Sequence, residues 1–122
     1  MNFENIAIGT DIEEVERFND KTKDNNERFL NRIFTKNELD YCFSKKNFAQ
    51  HLCARFCAKE AVYKALSELD IKDVYLKDIE ILKKDNSIPF VKIEKYPNFK
   101  IRLSLSHTRK YACANVFVYY SK

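Results

Sequence analysis

The 122-residue sequence predicts an α+β fold, an antiparallel sheet packed against a long central helix and shorter helices. Two observations carry this prediction. Leu52 to Leu66 (L-C-A-R-F-C-A-K-E-A-V-Y-K-A-L) holds four Ala and neither Gly nor Pro, a strongly helical composition, with Leu52, Phe56, Tyr63 and Leu66 spaced as one buried stripe. After Leu69 the period changes from helical to alternating. In I-R-L-S-L-S-H, Ile101, Leu103 and Leu105 share one face while Arg102, Ser104 and Ser106 share the other.

Taken from the N-terminus, N-I-A-I-G-T places Ile6 and Ile8 before Gly9 and reads as a short buried strand. Thr10 followed three residues later by Glu13 has the pattern of a capping box, which predicts a helix carrying Val15 and Phe18 inward. Asn19 to Glu27 is a polar loop. R-F-L-N-R-I-F then directs Phe29, Ile33 and Phe34 inward and Arg28 and Arg32 outward, and Thr35 with Glu38 forms a second capping box. Lys45, Lys46 and Asn47 make a basic turn before the central helix. Asp78 to Leu82 and Ile88 to Glu94 read as strands joined by a K-K-D-N-S turn, and Y-A-C-A-N-V-F-V-Y-Y as the last strand, entered through a tight turn at His107 to Lys110.

Length bounds this chain to one domain over residues 1–122. No apolar run approaches the ~20 residues needed to span a bilayer, and a basic-then-apolar leader is lacking, so a cytoplasmic protein is expected. The four cysteines (Cys42, Cys53, Cys57, Cys113) form no C-x-x-C pair and read as buried reduced thiols. With a single Gly the chain has no Gly-rich phosphate loop, which excludes Walker-type and dinucleotide-fold readings. Any phosphate must be held by side chains, metal or helix ends.

Charge on the central helix is sparse: Arg55, Lys59, Glu60 and Lys64, set among small residues that let a ligand approach the backbone. Glu60 and Lys64 also have the spacing of an ordinary surface ion pair. Asp11 sits at a strand-to-helix junction, where it can cap a helix or serve as a rigid metal-binding carboxylate. Arg17, Lys21, Lys23, Arg28 and Arg32 concentrate positive charge in the first third, as a solvated surface or as a docking face for an acidic macromolecule. His107, beside Arg109 and Lys110, is either structural or a phosphate contact.

Four blocks in order (I-G-T-D-I-E-E-V-E-R-F from Ile8, R-F-L-N-R-I-F-T-K-N-E-L from Arg28, A-R-F-C-A-K-E-A-V-Y-K-A-L from Ala54 and L-S-L-S-H-T from Leu103) together resemble the small bacterial holo-acyl-carrier-protein synthase class of 4′-phosphopantetheinyl transferases. The resemblance covers nearly the whole chain, and the paired G-T-D-I and F-x-A-K-E-A signatures carry its specificity. It implies the fold of that family and transfer of phosphopantetheine from coenzyme A to a serine of apo-acyl carrier protein, releasing adenosine 3′,5′-bisphosphate. It implies Asp11 and Glu60 as carboxylates on Mg2+, which prefers oxygen ligands shared with phosphates and water. Glu60, directly or through a metal-held water, would accept the serine proton. Lys64 would neutralise coenzyme A phosphates, Lys59 would bind the coenzyme or support the site, and His107 with Ser106 and Thr108 would contact the 3′-phosphate. Arg17, Arg28 and Arg55, with Phe29 as an apolar contact, would dock the acidic carrier protein. Homotrimers with sites at subunit interfaces are typical of the family. This chain has Ser67 and Asp85-Asn86-Ser87 where the family usually has Gly, and Asn and Asp tolerate such turns better than most residues.

Two other functions fit the composition. A pI near 8.8 and many Tyr and Phe suit a small nucleic-acid-binding module, although the aromatics here follow core periodicity and 18 acidic residues dilute the charge. A non-catalytic adaptor for an acidic carrier protein would need neither Asp11 nor Glu60.

Overall fold

The computed structural model describes residues 2–120. The sequence turns helical where its propensities are strongest. Helix α1 spans Glu27–Ile33, α2 spans Lys36–Phe43 and α3 spans Phe48–Glu68, the longest element of the chain. Strand β1 runs Ile6–Glu14, β2 Glu80–Lys83, β3 Pro89–Lys92, β4 Phe99–His107 and β5 Tyr111–Tyr120. The strands form two antiparallel sheets, a three-stranded one in the order β1-β5-β4 and a two-stranded β2-β3 hairpin. Helix α3 lies across β1 and β5 with α2 packed on its far side.

The second capping box forms as expected: Thr35 Oγ1 accepts from the Glu38 amide at 3.3 Å, and Glu38 Oε1 accepts from the Thr35 amide at 2.8 Å. The first does not. Residues 10–13 continue β1, because each strand residue there gains a ladder partner on β5, from Thr10 opposite Asn115 to Glu14 opposite Tyr111. The chain turns only afterwards, in a single 3₁₀ turn over Val15–Phe18. Val15 and Phe18 are buried as predicted, and burying Phe18 fully stabilises the fold by roughly 1.5–3 kcal/mol.

Two apolar assignments change with this frame. Ile8, read as buried, is 68% exposed, since a strand that shows Ala7, Gly9 and Asp11 to α3 must turn Ile8 to the other face. Tyr63 is exposed, and Val62 fills the helix's buried stripe instead. The two turn positions that require a left-handed backbone are taken by Asp70 (φ 62°) and Ser87 (φ 66°). Among the described residues no helix is long and apolar enough to cross a membrane.

Candidate active site

The α3-facing side of β1 carries Ala7, Gly9, Asp11 and Glu13. Gly9 lets this strand lie directly on α3 at Ala61. That contact brings two chemically active segments together. Cys57 donates from Sγ to the Asp11 carbonyl at 3.1 Å, and Lys64 Nζ donates to Asp11 Oδ1 at 3.0 Å and to the Thr10 carbonyl at 3.1 Å. The Asp11 side chain is only 9% exposed, and its Oδ2 is buried with no hydrogen-bond partner. Leaving such an atom unsatisfied costs about 1–3 kcal/mol.

Two further carboxyls feel Asp11. Glu60, half-buried on α3, is held above the ordinary carboxylate range by burial and then by the negative charge of Asp11, with Lys64 and Arg17 acting in the opposite direction. Glu13 is pushed up to about 7 by burial and by the neighbouring Asp11 carboxylate. Arg17 offsets part of this, donating from Nη1 to Glu13 Oε1 at 3.0 Å with its guanidinium 4.8 Å from the centre of the Phe56 ring. Asp11, Glu13 and Glu60 thus share one pocket of charge with Lys64 and Arg17.

This donor set suits a hard divalent cation. All of its candidate ligands are carboxylate oxygens, and one of them is desolvated without a partner. Among the described residues no three His, Cys, Asp or Glu side chains stand together so as to hold a metal ion. Mg2+ is typically held through one or two carboxylates, with water and substrate phosphate supplying the rest.

His107 lies elsewhere. It ends β4, and β4 and β1 are opposite edges of the three-stranded sheet. Glu13 pairs with Ala112 and Ala112 with His107, which sets the imidazole two strands, roughly 10 Å, from the carboxylates. The Gln50 amide nitrogen stands 2.8 Å from His107 Nδ1 and donates to the Thr108 carbonyl at 3.3 Å. Thr108 Oγ1 accepts from the Lys110 and Tyr111 amides and shapes the turn, while Ser106 points to the opposite face of the sheet.

Close to this end stands a cationic group that sequence spacing did not reveal. Around the Tyr41 ring lie Arg55 at 4.1 Å, Lys45 at 5.0 Å and Lys83 at 5.1 Å, with His51 edge-on at 5.6 Å. These cations lower the Tyr41 phenol against the opposing effect of its burial. They come from three separate segments, so only the fold unites them.

Two expected site residues have other surroundings. Lys59 is 0% exposed, pairs with Glu38 at 2.7 Å and donates to the Leu76 and Ile79 carbonyls. Successive helix residues point about 100° apart, so the neighbour of Glu60 faces the core rather than the coenzyme. Arg55, expected at a docking surface, is 4% exposed beneath Tyr41 with its Nε unpartnered. Arg28 and Phe29 lie on α1, Arg28 exposed and Phe29 half-buried under Lys21 at 5.4 Å. Glu13, which the capping-box spacing presents as a helix-end residue, is a strand residue facing α3. Its signal was the alternation D-I-E, which on a strand puts the first and third side chains on one face.

The sequence profile described as the 4′-phosphopantetheinyl transferase superfamily matches residues 7–116. A holo-acyl-carrier-protein synthase from Protochlamydia amoebophila is 43% identical over 114 residues, covering 89% of this chain and 93% of the relative. Another from Thermodesulfovibrio yellowstonii is 43% identical over 112 residues, covering 92% and 96%. Among solved structures, a Bacillus anthracis holo-acyl-carrier-protein synthase in complex with CoA (3′,5′-ADP) matches with TM-score 0.77 at 30% identity, covering 94% of this chain and 96% of that one. The Helicobacter pylori holo-acyl-carrier-protein synthase in complex with coenzyme A matches with TM-score 0.75 at 29% identity, covering 91% and 98%.

Proposed function

The chain belongs to the 4′-phosphopantetheinyl transferase superfamily, and on that premise we propose that it converts apo-acyl carrier protein to its holo form. It is a transferase that moves 4′-phosphopantetheine from coenzyme A to a carrier serine, with adenosine 3′,5′-bisphosphate as the other product. The whole chain acts as one transferase domain. What supports the reading is the close approach of β1 to α3 at Gly9 and Ala61, which sets Asp11 and Glu60, 49 positions apart in sequence, on touching elements with Lys64 bonded to Asp11.

Each residue has a physical task. Asp11 and Glu60 would hold Mg2+, which supplies polarisation of the reacting phosphorus and neutralises charge gathering on the leaving phosphate. Glu60, directly or through a water it orients, accepts the proton of the serine hydroxyl as that oxygen attacks phosphorus and the pyrophosphate P–O bond breaks. Lys64 sits on an exposed, flexible stem and neutralises phosphate oxygens of coenzyme A. Arg17 holds Glu13 in place beside Asp11. Catalysis is then mostly positioning and electrostatics.

The remaining assignments follow from charge and exposure. His107 and Thr108, with the exposed Lys45 and Lys83 beside Tyr41, take phosphates of coenzyme A. Arg17 and Arg28, with Phe29, face an acidic carrier protein, since opposite charge speeds and orients encounter. The outer face of the three-stranded sheet exposes Ile8, Ile12 and Phe117, an apolar surface that supports a homotrimer in which His107 completes a neighbouring copy's site. The protein works in the cytoplasm.

The test is the mass of apo-acyl carrier protein after incubation with enzyme, coenzyme A and Mg2+. A gain of one phosphopantetheine, abolished by a chelator, supports the reading. Carrier binding without any gain would reduce the protein to an adaptor.

A further inference from the structure

Lys64 occupies an odd position for a residue whose task is to hold substrate. Its ammonium is bound to Asp11 Oδ1 at 3.0 Å and to the Thr10 carbonyl on the open edge of β1 at 3.1 Å. Both partners are oxygens of the kind a hard cation takes. The Asp11 carboxylate is almost fully buried and its Oδ2 has no partner. Arg17, the other cation present, is already engaged by Glu13. A buried carboxylate of this kind is costly without a counterion, and Lys64 supplies it.

We infer that Lys64 is the stand-in for the divalent cation, neutralising Asp11 while no metal is bound and moving to a substrate phosphate once metal and coenzyme A arrive. The inference rests on the metal-binding reading of Asp11 and Glu60. The side chain is built for the exchange: it is 54% exposed, has a four-carbon stem, and its two bonds are made at the tip alone. The same positive charge cannot stay against Asp11 when a doubly charged ion arrives, because the two cations would repel within a few ångströms. Phosphate oxygens entering with the coenzyme give the ammonium its second partner. Metal and coenzyme are therefore coupled through one side chain, each making room or a partner for the other.

The experiment is a titration of the coenzyme-free protein with Mn2+, followed by calorimetry or by the Mn2+ spin signal, on the parent, Lys64→Met, Lys64→Arg and Asp11→Asn. Coenzyme A affinity is measured in parallel. Lys64→Met should bind Mn2+ on the order of tenfold more tightly, because the competing charge is gone, and bind coenzyme A more weakly. Lys64→Arg keeps the charge and should bind Mn2+ like the parent. Lys64 is exposed, so Lys64→Met should fold, which its unfolding transition checks. Mn2+ affinity unchanged or weakened in Lys64→Met overturns the stand-in role. A parent protein showing no Mn2+ binding that Asp11→Asn removes overturns the metal reading itself, and the stand-in role with it.

Discussion

Gly9 lies so close to Ala61 that a Cβ on it would stand 1.9 Å from the Ala61 carbonyl oxygen and 2.9 Å from its carbon. Both obstacles are backbone and cannot turn aside. Gly9 has no positive φ, so its role is closeness rather than conformational freedom. This contact sets how near Asp11 comes to Glu60, two residues along β1 on one side and one residue before Ala61 on the other.

Gly9→Ala should therefore push β1 off α3 and cost about 1–3 kcal/mol, the usual range for overpacking. Transfer activity should fall further than stability explains, because the carboxylates separate. Denaturant unfolding and the carrier-mass assay, run below the variant's unfolding midpoint, check both effects.

Asp11→Asn and Glu60→Gln should each lower transfer by at least ~100-fold, on the scale of damage to a metal site. Glu60→Gln should not lower the melting temperature of the metal-free protein, because it removes a carboxylate that Asp11 opposes. Loss of activity with stability retained separates a chemical role from a packing one.

Acidity gives an independent check. The folded state lifts Glu13 from 4.5 to about 7 and lifts Glu60 as well. Both groups bind protons more tightly folded than unfolded, so their contribution to the stability of the metal-free protein is present at low pH and is lost as pH rises from about 4.5 to about 7. Glu13→Gln should flatten that slope. Melting temperatures in chelator across this window, parent against variant, measure it.

The parts of the site legible in sequence were those coded by local pattern. Asp11, Glu60 and Lys64 are singled out by the family's sequence blocks, since spacing alone leaves a helix cap and a surface ion pair open, and α3 and β4 are legible through period. What escaped depended on partners far along the chain. Glu13 looked like a helix cap because Thr10 and Glu13 have the right spacing, and only the ladder to Ala112 makes it a strand residue facing α3. For Lys59 the sequence leaves coenzyme binding and structural support open, and it is Glu38, 21 positions earlier, that holds it in the core. The Tyr41 group needed α2, α3 and β2 to be folded before its charges met.

Lys59→Met should cost about 3–5 kcal/mol, the scale for stripping one partner from a buried ion pair, since Glu38 would be left buried without its counterion. Glu38 also accepts from the Thr35 and Ile81 amides, at 2.8 and 2.9 Å, so it cannot simply turn to solvent. Mn2+ affinity of the folded variant should match the parent. A changed affinity with unchanged stability would return Lys59 to the active site.

Arg28 and Arg55 separate docking from packing. Arg28 is exposed on α1, so Arg28→Glu should raise the KM for acyl carrier protein while leaving coenzyme A binding and the melting temperature near their parent values. Rim charges act mainly on encounter, so the effect should shrink as salt rises. Arg55 instead lies under Tyr41 with its guanidinium 4.1 Å from the ring centre, so Arg55→Ala should cost about 2 kcal/mol of stability through lost stacking and stem packing. Its carrier KM, measured on folded protein, should stay close to the parent's. An Arg28→Glu variant with an unchanged carrier KM at low salt would move the docking face away from α1.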